Sequence, residues 1–331
     1  MKRVLNNILV TGGAGFIGCN FIRYLFTKTS FEGQIVNVDK ITYAGNESYL
    51  HDIRKTYNKR YIFEKCDICD YVSIKRILNE YNIDTIIHFA AESHVDNSIY
   101  GPKNFVDTNI VGTSVLLEVA RESWLDRDDV LFHHISTDEV YGSLDDEGYF
   151  YETTPYNPRN PYSASKAAAD HLVKAYFHTY KMPITMSNCS NNFGAYQHLE
   201  KLIPVVISKM KKGEKIPVYG EGKNVRDWLY VEDHCSAIWK IINSGKTGDT
   251  YNIGGENEWT NIDLVKLLCE ILAKINQKEK DHYKSLITFV TDRKGHDLRY
   301  AVNCDKIKND LGWSQQYNFK KALENTVRWY L

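Results

Sequence analysis

The stretch from Asn7 to Phe26 constrains the fold more than any other in these 331 residues. Asn7-Ile8-Leu9-Val10-Thr11 is a short apolar strand that runs directly into Gly12-Gly13-Ala14-Gly15-Phe16-Ile17-Gly18, and Cys19 to Phe26 reads as a helix. Glycines at 12, 15 and 18 let the backbone turn tightly and bring bare amides up to a ligand at a helix N-terminus, where a pyrophosphate is stabilised. The spacing is GxxGxxG rather than GxGxxG, so the flanking strand and helix carry as much of the inference as the glycines. A second strand, Gln34 to Val38, ends in Asp39, at the distance where a carboxylate hydrogen-bonds an adenosine ribose. Asp39 would repel a 2′-phosphate, which selects NAD over NADP. The competing reading is a structural turn and a strand-end acid with no ligand.

The alternation continues: strand Tyr61 to Lys65, helix Tyr71 to Tyr81, strand Thr85 to Ala90, helix Asn104 to Arg121, strand Val130 to Ser136. Such a pattern predicts an α/β fold, a Rossmann-type doubly wound parallel sheet with helices on both faces and right-handed crossovers. Ligands of these sheets collect at the carboxyl ends of the strands. There Asp67 and Ile68 approach the adenine, Phe89-Ala90-Ala91-Glu92-Ser93 lines the middle of the cofactor, and Thr137-Asp138-Glu139 faces the nicotinamide. His94 and Asp96 invite a catalytic reading, but loop stabilisation is the favoured one.

Composition narrows the classes. Lys+Arg (41) and Asp+Glu (42) nearly cancel, so no broad nucleic-acid or membrane-binding surface is expected and any anionic ligand must be met by local groups. No apolar run approaches the ~18 to 20 residues of a membrane span, and the N-terminus enters a strand without a signal-peptide pattern. Seven scattered cysteines read as reduced thiols of a cytoplasmic protein. Cys66-Asp67-Ile68-Cys69 has CxxC spacing but no second pair or clustered His, so it reads as two partly buried thiols beside a strand end, and no metal is expected.

Proton-transfer groups concentrate in two places. His134-Ile135-Ser136-Thr137-Asp138-Glu139-Val140-Tyr141-Gly142 ends a strand with a hydroxyl and two adjacent carboxylates. Asn160-Pro161 opens a helix from Tyr162 to Tyr180, with Pro near the first turn where its missing N–H costs nothing. Tyr162 and Lys166, at i and i+4, share one face of it. A phenol titrating near ~10 is a poor base at neutral pH unless a cation stabilises the phenolate, and Lys166 is placed to supply one. An ordinary surface Tyr and Lys pair is the alternative, which the carboxylates upstream argue against.

Beyond Lys166 the alternation loosens. Ile184 to Ser190 is a strand leading to the polar turn Asn191-Asn192-Phe193-Gly194. Lys201-Leu202-Ile203-Pro204, the strand Ile216-Pro217-Val218-Tyr219-Gly220 and Asn224-Val225-Arg226-Asp227-Trp228 place cations and aromatics in loops. Asn261 starts a capped helix, the strand Leu286 to Val290 precedes the charged loop Asp292-Arg293-Lys294-Gly295-His296-Asp297, and a helix runs from Phe319 to Leu331. Residues 1–190 are expected to hold the NAD domain, with later segments returning to it, and residues 191–331 a smaller α/β lobe that closes over a substrate. Arg226 and Arg293 are candidates for a diphosphate and Tyr219 or Trp228 for ring packing; surface ion pairs and core aromatics are the competing readings.

Thr11-Gly12-Gly13-Ala14-Gly15-Phe16-Ile17-Gly18 with Tyr162-x-x-x-Lys166 resembles the extended short-chain dehydrogenase/reductase superfamily, and Ser136-Thr137-Asp138-Glu139-Val140-Tyr141-Gly142 narrows this to its sugar-nucleotide 4,6-dehydratases. Further matches at Asp39 to Asn46, Ala90 to Asp96, Asn224 to Trp228 and Gly295-His296-Asp297 extend the resemblance along nearly the whole chain. Epimerases of the superfamily carry small or apolar residues where Asp138 and Glu139 stand. The resemblance implies NAD contacts at Gly12, Gly15, Phe16, Ile17, Gly18, Asp39, Lys40, Ile41, Thr42, Asp67, Ile68, Phe89, Ala90, Ala91, Glu92, Ser93, Thr108, Tyr162, Lys166 and Asn192. It implies substrate contacts at Ser93, Thr137, Asn191, Lys201, Leu202, Pro217, Val218, Tyr219, Arg226, Asn261, Asp292, Arg293, Lys294, Gly295 and His296, and a homodimer, with the helices near Asn104 to Arg121 and Tyr162 to Tyr180 pairing across the axis. Three departures, Ala195, Leu199 and Lys294, stand where prolines are usual; none removes a functional group, and each relaxes a substrate loop.

The implied substrate is dTDP-glucose. Tyr162 takes the 4-hydroxyl proton as C4 is oxidised, Glu139 takes the C5 proton while a neutral Asp138 protonates the departing 6-hydroxyl, and C6 is then reduced; Thr137 orients the C4 oxygen. A UDP-hexose 4-epimerase or another nucleotide-sugar dehydratase shares the oxidation step and is the rival enzyme reading. An NAD-binding redox regulator with a dead site is the rival from another class.

Overall fold

Strands covered on both faces are apolar along their whole length, and this chain shows it: Ile8, Leu9, Val10, Ile86 and Ile87 are all fully buried. The computed structural model describes residues 3–125, 127–292 and 297–331. Its strands are β1 (Asn7–Thr11), β2 (Gln34–Asp39), β3 (Tyr61–Lys65), β4 (Thr85–His88), β5 (Leu131–Thr137), β6 (Ile184–Cys189), β7 (Asn191–Phe193), β8 (Ile216–Tyr219), β9 (Val225–Tyr230), β10 (Thr250–Ile253), β11 (Glu258–Thr260) and β12 (Ile287–Val290). Seven of them form one sheet in the order β3-β2-β1-β4-β5-β6-β10, and every pairing in it is parallel. The order reverses between β1 and β4, which opens a crevice at their carboxyl ends.

Alternate residues of each strand feed opposite faces. Ile8 and Val10 of β1 pack with Phe21, Ile22 and Leu25 of helix Phe16–Lys28 and with Ile238 and Ile241 of helix Val231–Ser244. Leu9 packs on the other face with Ile74, Leu116, Leu117 and Val173, from helices Tyr71–Glu80, Thr113–Ser123 and Pro161–Tyr180. A separate core gathers Ile203, Ile207, Leu264, Leu268 and Leu323 from helices Leu202–Lys212, Asn261–Ile275 and Phe319–Tyr330 around β8 and Trp228. Fully burying each such side chain contributes about 1.5 to 3 kcal/mol. No described helix is long and apolar enough to cross a membrane.

Several sequence expectations change here. The single helix from Asn104 to Arg121 is instead a short helix Pro102–Phe105, a wide turn Val106–Gly112 with i→i+5 geometry, and helix Thr113–Ser123. The turn presents Gly112 to Ile68, whose Cδ1 lies 2.4 Å from where a Cβ at Gly112 would stand. Strand β4 stops at His88 rather than Ala90, because the Ala90 amide turns away to Thr11 Oγ1 (3.3 Å). Asn224 to Trp228 is not loop: β9 begins at Val225 and pairs with β11 and β7, and β7 itself occupies the turn expected at 191–194. Lys201 to Pro204 is likewise the start of a helix, with Lys201 at its cap position. Elements absent from the sequence reading include helix Val231–Ser244 and strand β10, which carries the chain back into the large sheet.

Candidate active site

The glycine turn is built by close contact. Gly12 has φ +70°, and a Cβ there would sit 2.6 Å from Ala90 N; one at Gly18 would sit 2.4 Å from Gly12 O, and one at Gly13 2.2 Å from Asn37 Oδ1. Gly15 is the exception, with its nearest neighbour at 3.3 Å, so its bareness serves the open side of the turn. No side chain caps helix Phe16–Lys28 and its first turn holds no acid, which leaves amides and the positive end of the helix dipole for an anion. Asp39 braces this turn: Oδ2 accepts from Ala14 N (3.0 Å) and Oδ1 from Ile41 N (2.8 Å). Burial nevertheless pushes its carboxyl above the usual range, against those two amides and Lys40. The bare turn, the open helix end and the acid fit a dinucleotide.

These groups open onto a cleft of about 300 Å³. Gly12, Gly15, Phe16, Ile17, Gly18, Asp39, Lys40, Thr42, Ile68, Phe89, Ala90, Ala91, Glu92, Ser93, Thr108, Tyr162, Lys166 and Asn192 line it, together with Thr137, Asp138, Glu139, Asn191 and Lys201. Ile41 and Asp67 do not line it: Asp67 accepts from Cys69 N (3.0 Å) and faces Lys40 Nζ at 3.4 Å, which also reaches Thr108 Oγ1 (3.3 Å). Leu202, Pro217, Val218, Tyr219, Arg226, Asn261 and Asp292 do not line it. Val218 is buried in the second core and Asn261 is the first residue of its helix, whose cap is Thr260. Trp228 packs edge-on against Phe193 in the core, whereas Tyr219 is exposed. Arg226 is buried, donates to the carbonyls of Val225 (2.7 Å) and Asp297 (3.0 Å) and stacks on Tyr300. Arg293, Lys294, Gly295 and His296 lie outside the described residues.

At the far end of the cleft β5 delivers the acids. Thr137 caps a single tight turn, Asp138–Tyr141, its Oγ1 accepting from Glu139 N (3.3 Å). Asp138 is 1% exposed; Oδ1 accepts from Thr137 Oγ1 (3.3 Å) and Oδ2 has no hydrogen-bond partner. Burial first, then the charges of Glu139 and Asp227, hold its carboxyl well above the usual range, against Arg226 and the Thr137 bond. An acid kept neutral in this way is a proton donor at neutral pH. Glu139, partly exposed, is the second carboxyl such an acid and base pair requires.

Asn160 caps helix Pro161–Tyr180 in a capping box with Ser163, which aims Tyr162 and Lys166 at the same cleft. The Tyr162 phenol is buried, with Lys166 one turn further along the same helix. Burial, then Glu139, Cys189 and Asp138, push that phenol well above its ordinary value, and the lowering contribution comes from the Thr137 hydroxyl. Lys166 Nζ instead donates to Ile135 O (2.7 Å), and burial lowers its own titration. A phenolate here calls for further positive charge in the cleft, and the nicotinamide ring of NAD is of that sign.

Some wall residues had no sequence signal. Asn109, in the wide turn, accepts from Glu92 N (2.9 Å) and donates to Glu92 O (3.0 Å) and Ser165 Oγ (2.8 Å), tying the cofactor loop to the Tyr162 helix. Gln197, His198, Glu200, Cys189 and Ser190 also line the cleft. The π-like turn that presents Asn109 leaves no mark in a helical pattern. His94 caps helix Val95–Tyr100 through Nδ1, as the loop-stabilising reading expects. Cys66 and Cys69 are unpaired and half-buried, and among the described residues no cluster of His, Cys, Asp or Glu is arranged to hold a metal.

Residues 9–326 match the family model described as GDP-mannose 4,6 dehydratase. A dTDP-glucose 4,6-dehydratase of Haemophilus influenzae is 50% identical over 334 residues, covering 98% of both chains. Among solved structures, the dTDP-glucose 4,6-dehydratase DesIV of Streptomyces venezuelae, with NAD bound, superposes with a TM-score of 0.89 at 41% identity, over 98% of this chain and 96% of the other. The dTDP-glucose 4,6-dehydratase of Bacillus anthracis in complex with NAD gives 0.87 at 43% identity, over the same shares.

Proposed function

The chain belongs to the GDP-mannose 4,6 dehydratase family, and from that premise we propose that it converts dTDP-glucose to dTDP-4-dehydro-6-deoxyglucose and water, as an NAD-dependent carbon–oxygen lyase. The observation that carries this reading is Asp138: a buried carboxyl with an unpartnered oxygen, kept protonated beside an ionisable Glu139 and within the electrostatic reach of Tyr162. An epimerase needs only the oxidation machinery and has no use for a buried acid adjacent to a base.

NAD, held by the glycine turn, Asp39 and the loop Phe89 to Ser93, supplies the hydride acceptor and donor. Tyr162 receives the proton of the glucose 4-hydroxyl, and the Thr137 hydroxyl, which lies on the side of the Tyr162 phenol and opposes the raising of its titration, holds the C4 oxygen in line. The 4-ketone acidifies the C5 hydrogen. Glu139 removes it while Asp138 gives its proton to the 6-hydroxyl, so water leaves; Glu139 then returns a proton to C5 as C6 is reduced. General acid and base steps of this kind each contribute about 10²- to 10⁴-fold. Ser93, Asn191 and Lys201 on the cleft wall are assigned to the sugar and its diphosphate, and Leu202, Pro217, Val218, Tyr219, Arg226, Asn261, Asp292, Arg293, Lys294, Gly295 and His296 to the nucleotide.

The division at residue 190 into a cofactor part and a mainly substrate-binding part belongs to the same reading, as do a cytoplasmic location, a role in deoxysugar supply and a homodimer. Ile99, Tyr100, Val106 and Val111 are exposed apolar residues on the side of the wide turn, which supports pairing there. Incubation with dTDP-glucose and with UDP-glucose, followed by mass spectrometry, tests the function: loss of one water from the dTDP sugar is expected, and an isomer of unchanged mass would replace this reading with epimerisation.

A further inference from the structure

The cleft wall carries a side chain whose orientation is set from behind it. Asn192, on β7, lines the cleft and is held by three groups. Its Nδ2 donates to Ser190 O (3.0 Å), its backbone carbonyl accepts from Gln197 Nε2 (2.8 Å), and its Oδ1 stands 2.9 Å from His234 Nδ1. His234 is fully buried at the start of helix Val231–Ser244, and its Nε2 has no hydrogen-bond partner among the described residues. Topology brings the two side chains together. β7 runs parallel to β9 with Asn192 opposite Leu229, and β9 passes straight into the helix at Val231, so its first turn reaches Asn192.

The same contacts place the hydrogen on the ring. Burial pushes the His234 titration down to about 3, so the imidazole is neutral and one of its nitrogens carries the hydrogen. Ser190 O can only accept, which turns the Asn192 amide nitrogen towards Ser190 and its oxygen towards His234. That oxygen can only accept in its turn, so Nδ1 is protonated and Nε2 is bare. The second amide hydrogen remains on the cleft wall, beside the Cys189 thiol, whose sulfur is a weak acceptor.

We propose that His234 is a positioning residue for the cofactor: its Nδ1–H locks the Asn192 amide so that the remaining amide hydrogen, and not the oxygen, is presented to NAD. The role rests on the assignment of Asn192 as an NAD contact. The test compares two substitutions by calorimetric titration of the full-length protein with NAD. Asparagine at this position puts an amide nitrogen at the place of Nδ1, and glutamine puts one at the place of Nε2. His234→Asn is expected to keep NAD affinity within about threefold of the parent, whereas His234→Gln loses about tenfold, the worth of one such hydrogen bond. Urea unfolding without NAD supplies the contrast. Glutamine fills more of the volume of the ring, so packing alone would rank His234→Gln above His234→Asn in stability and in affinity alike. Affinities ranked that way, or equal, overturn the proposal. In the Asn192→Ala background the two substitutions are expected to give the same affinity, and a difference that persists there also overturns it. Should either variant fail to fold, the ring-nitrogen chemical shifts of His234 in the parent decide: a protonated Nδ1 is expected, and a bare one overturns the role. Asn192→Ala with parental NAD affinity sinks the assignment of Asn192 and this role with it. The expected ranking in a protein that leaves dTDP-glucose intact sinks only the proposed dehydration.

Discussion

Replacing Asp138 by Asn separates oxidation from elimination. The side chain is 1% exposed, with one oxygen bonded to Thr137 and the other unpartnered, and the neutral acid and the amide have nearly the same shape. If the acid is neutral when folded, Asp138→Asn changes stability at neutral pH by less than about 1 kcal/mol beyond the protonation term, since no charge–charge pair is broken. A carboxylate ionised in that position would be an uncompensated buried charge, and its removal would stabilise by several kcal/mol. Chemically the variant keeps Tyr162, Thr137 and Glu139, so C4 oxidation changes less than about tenfold, while water loss falls by the 10² to 10⁴ of a general acid, about 3 to 5 kcal/mol of barrier. Rapid-mixing absorbance of the reduced cofactor, with mass spectrometry of the quenched sugar, reads both steps. The expected record is a burst of reduced cofactor that persists without dehydrated product. Normal turnover, or a burst abolished together with dehydration, refutes the assignment of Asp138 as the acid.

Further outcomes follow from the same geometry. Gly18→Ala is expected to cost about 1 to 3 kcal/mol of stability and most NAD affinity, because its Cβ would meet Gly12 O at 2.4 Å, whereas Gly15→Ala, at 3.3 Å from the same oxygen, is expected to cost less; calorimetry and NAD titration distinguish them. The Asp138 carboxyl, raised on folding, binds its proton more tightly in the folded state, so its contribution favours the fold at low pH and is lost as pH climbs from about 4 towards the folded value. Urea titrations over that window are expected to show a shallower decline in Asp138→Asn than in the parent. Asn109→Ala frees the Glu92 loop from the Tyr162 helix and is expected to weaken NAD binding by about 1 to 3 kcal/mol without moving the pH profile, checked by titration of the cofactor.

Local chemistry made the first half of the chain legible. A strand, a bare turn and a helix in series from Asn7 to Lys28 admit few structures, and Asp39, Asp138, Glu139, Tyr162 and Lys166 stand at strand ends or helix starts whose positions follow from periodicity alone. What the sequence could not express depends on atoms distant along the chain. Gly13 is needed because Asn37 lies against it, β9 exists because β7 and β11 pair with it, and the wide turn at Asn109 exists because Ile68 and Glu92 must be met. The state of the protons was also settled by packing: Asp138 and Tyr162 are ordinary titrating groups in a list of residues and become perturbed only when the fold removes their water and sets Glu139 and Asp227 beside them. Sequence thus determined which functional groups the chain carries and the order in which its strands deliver them, because turns and periodicities are properties of neighbours. Tertiary structure decided their charge and their partners, because desolvation and Coulomb energy depend on everything within a few ångströms, whatever its place in the chain.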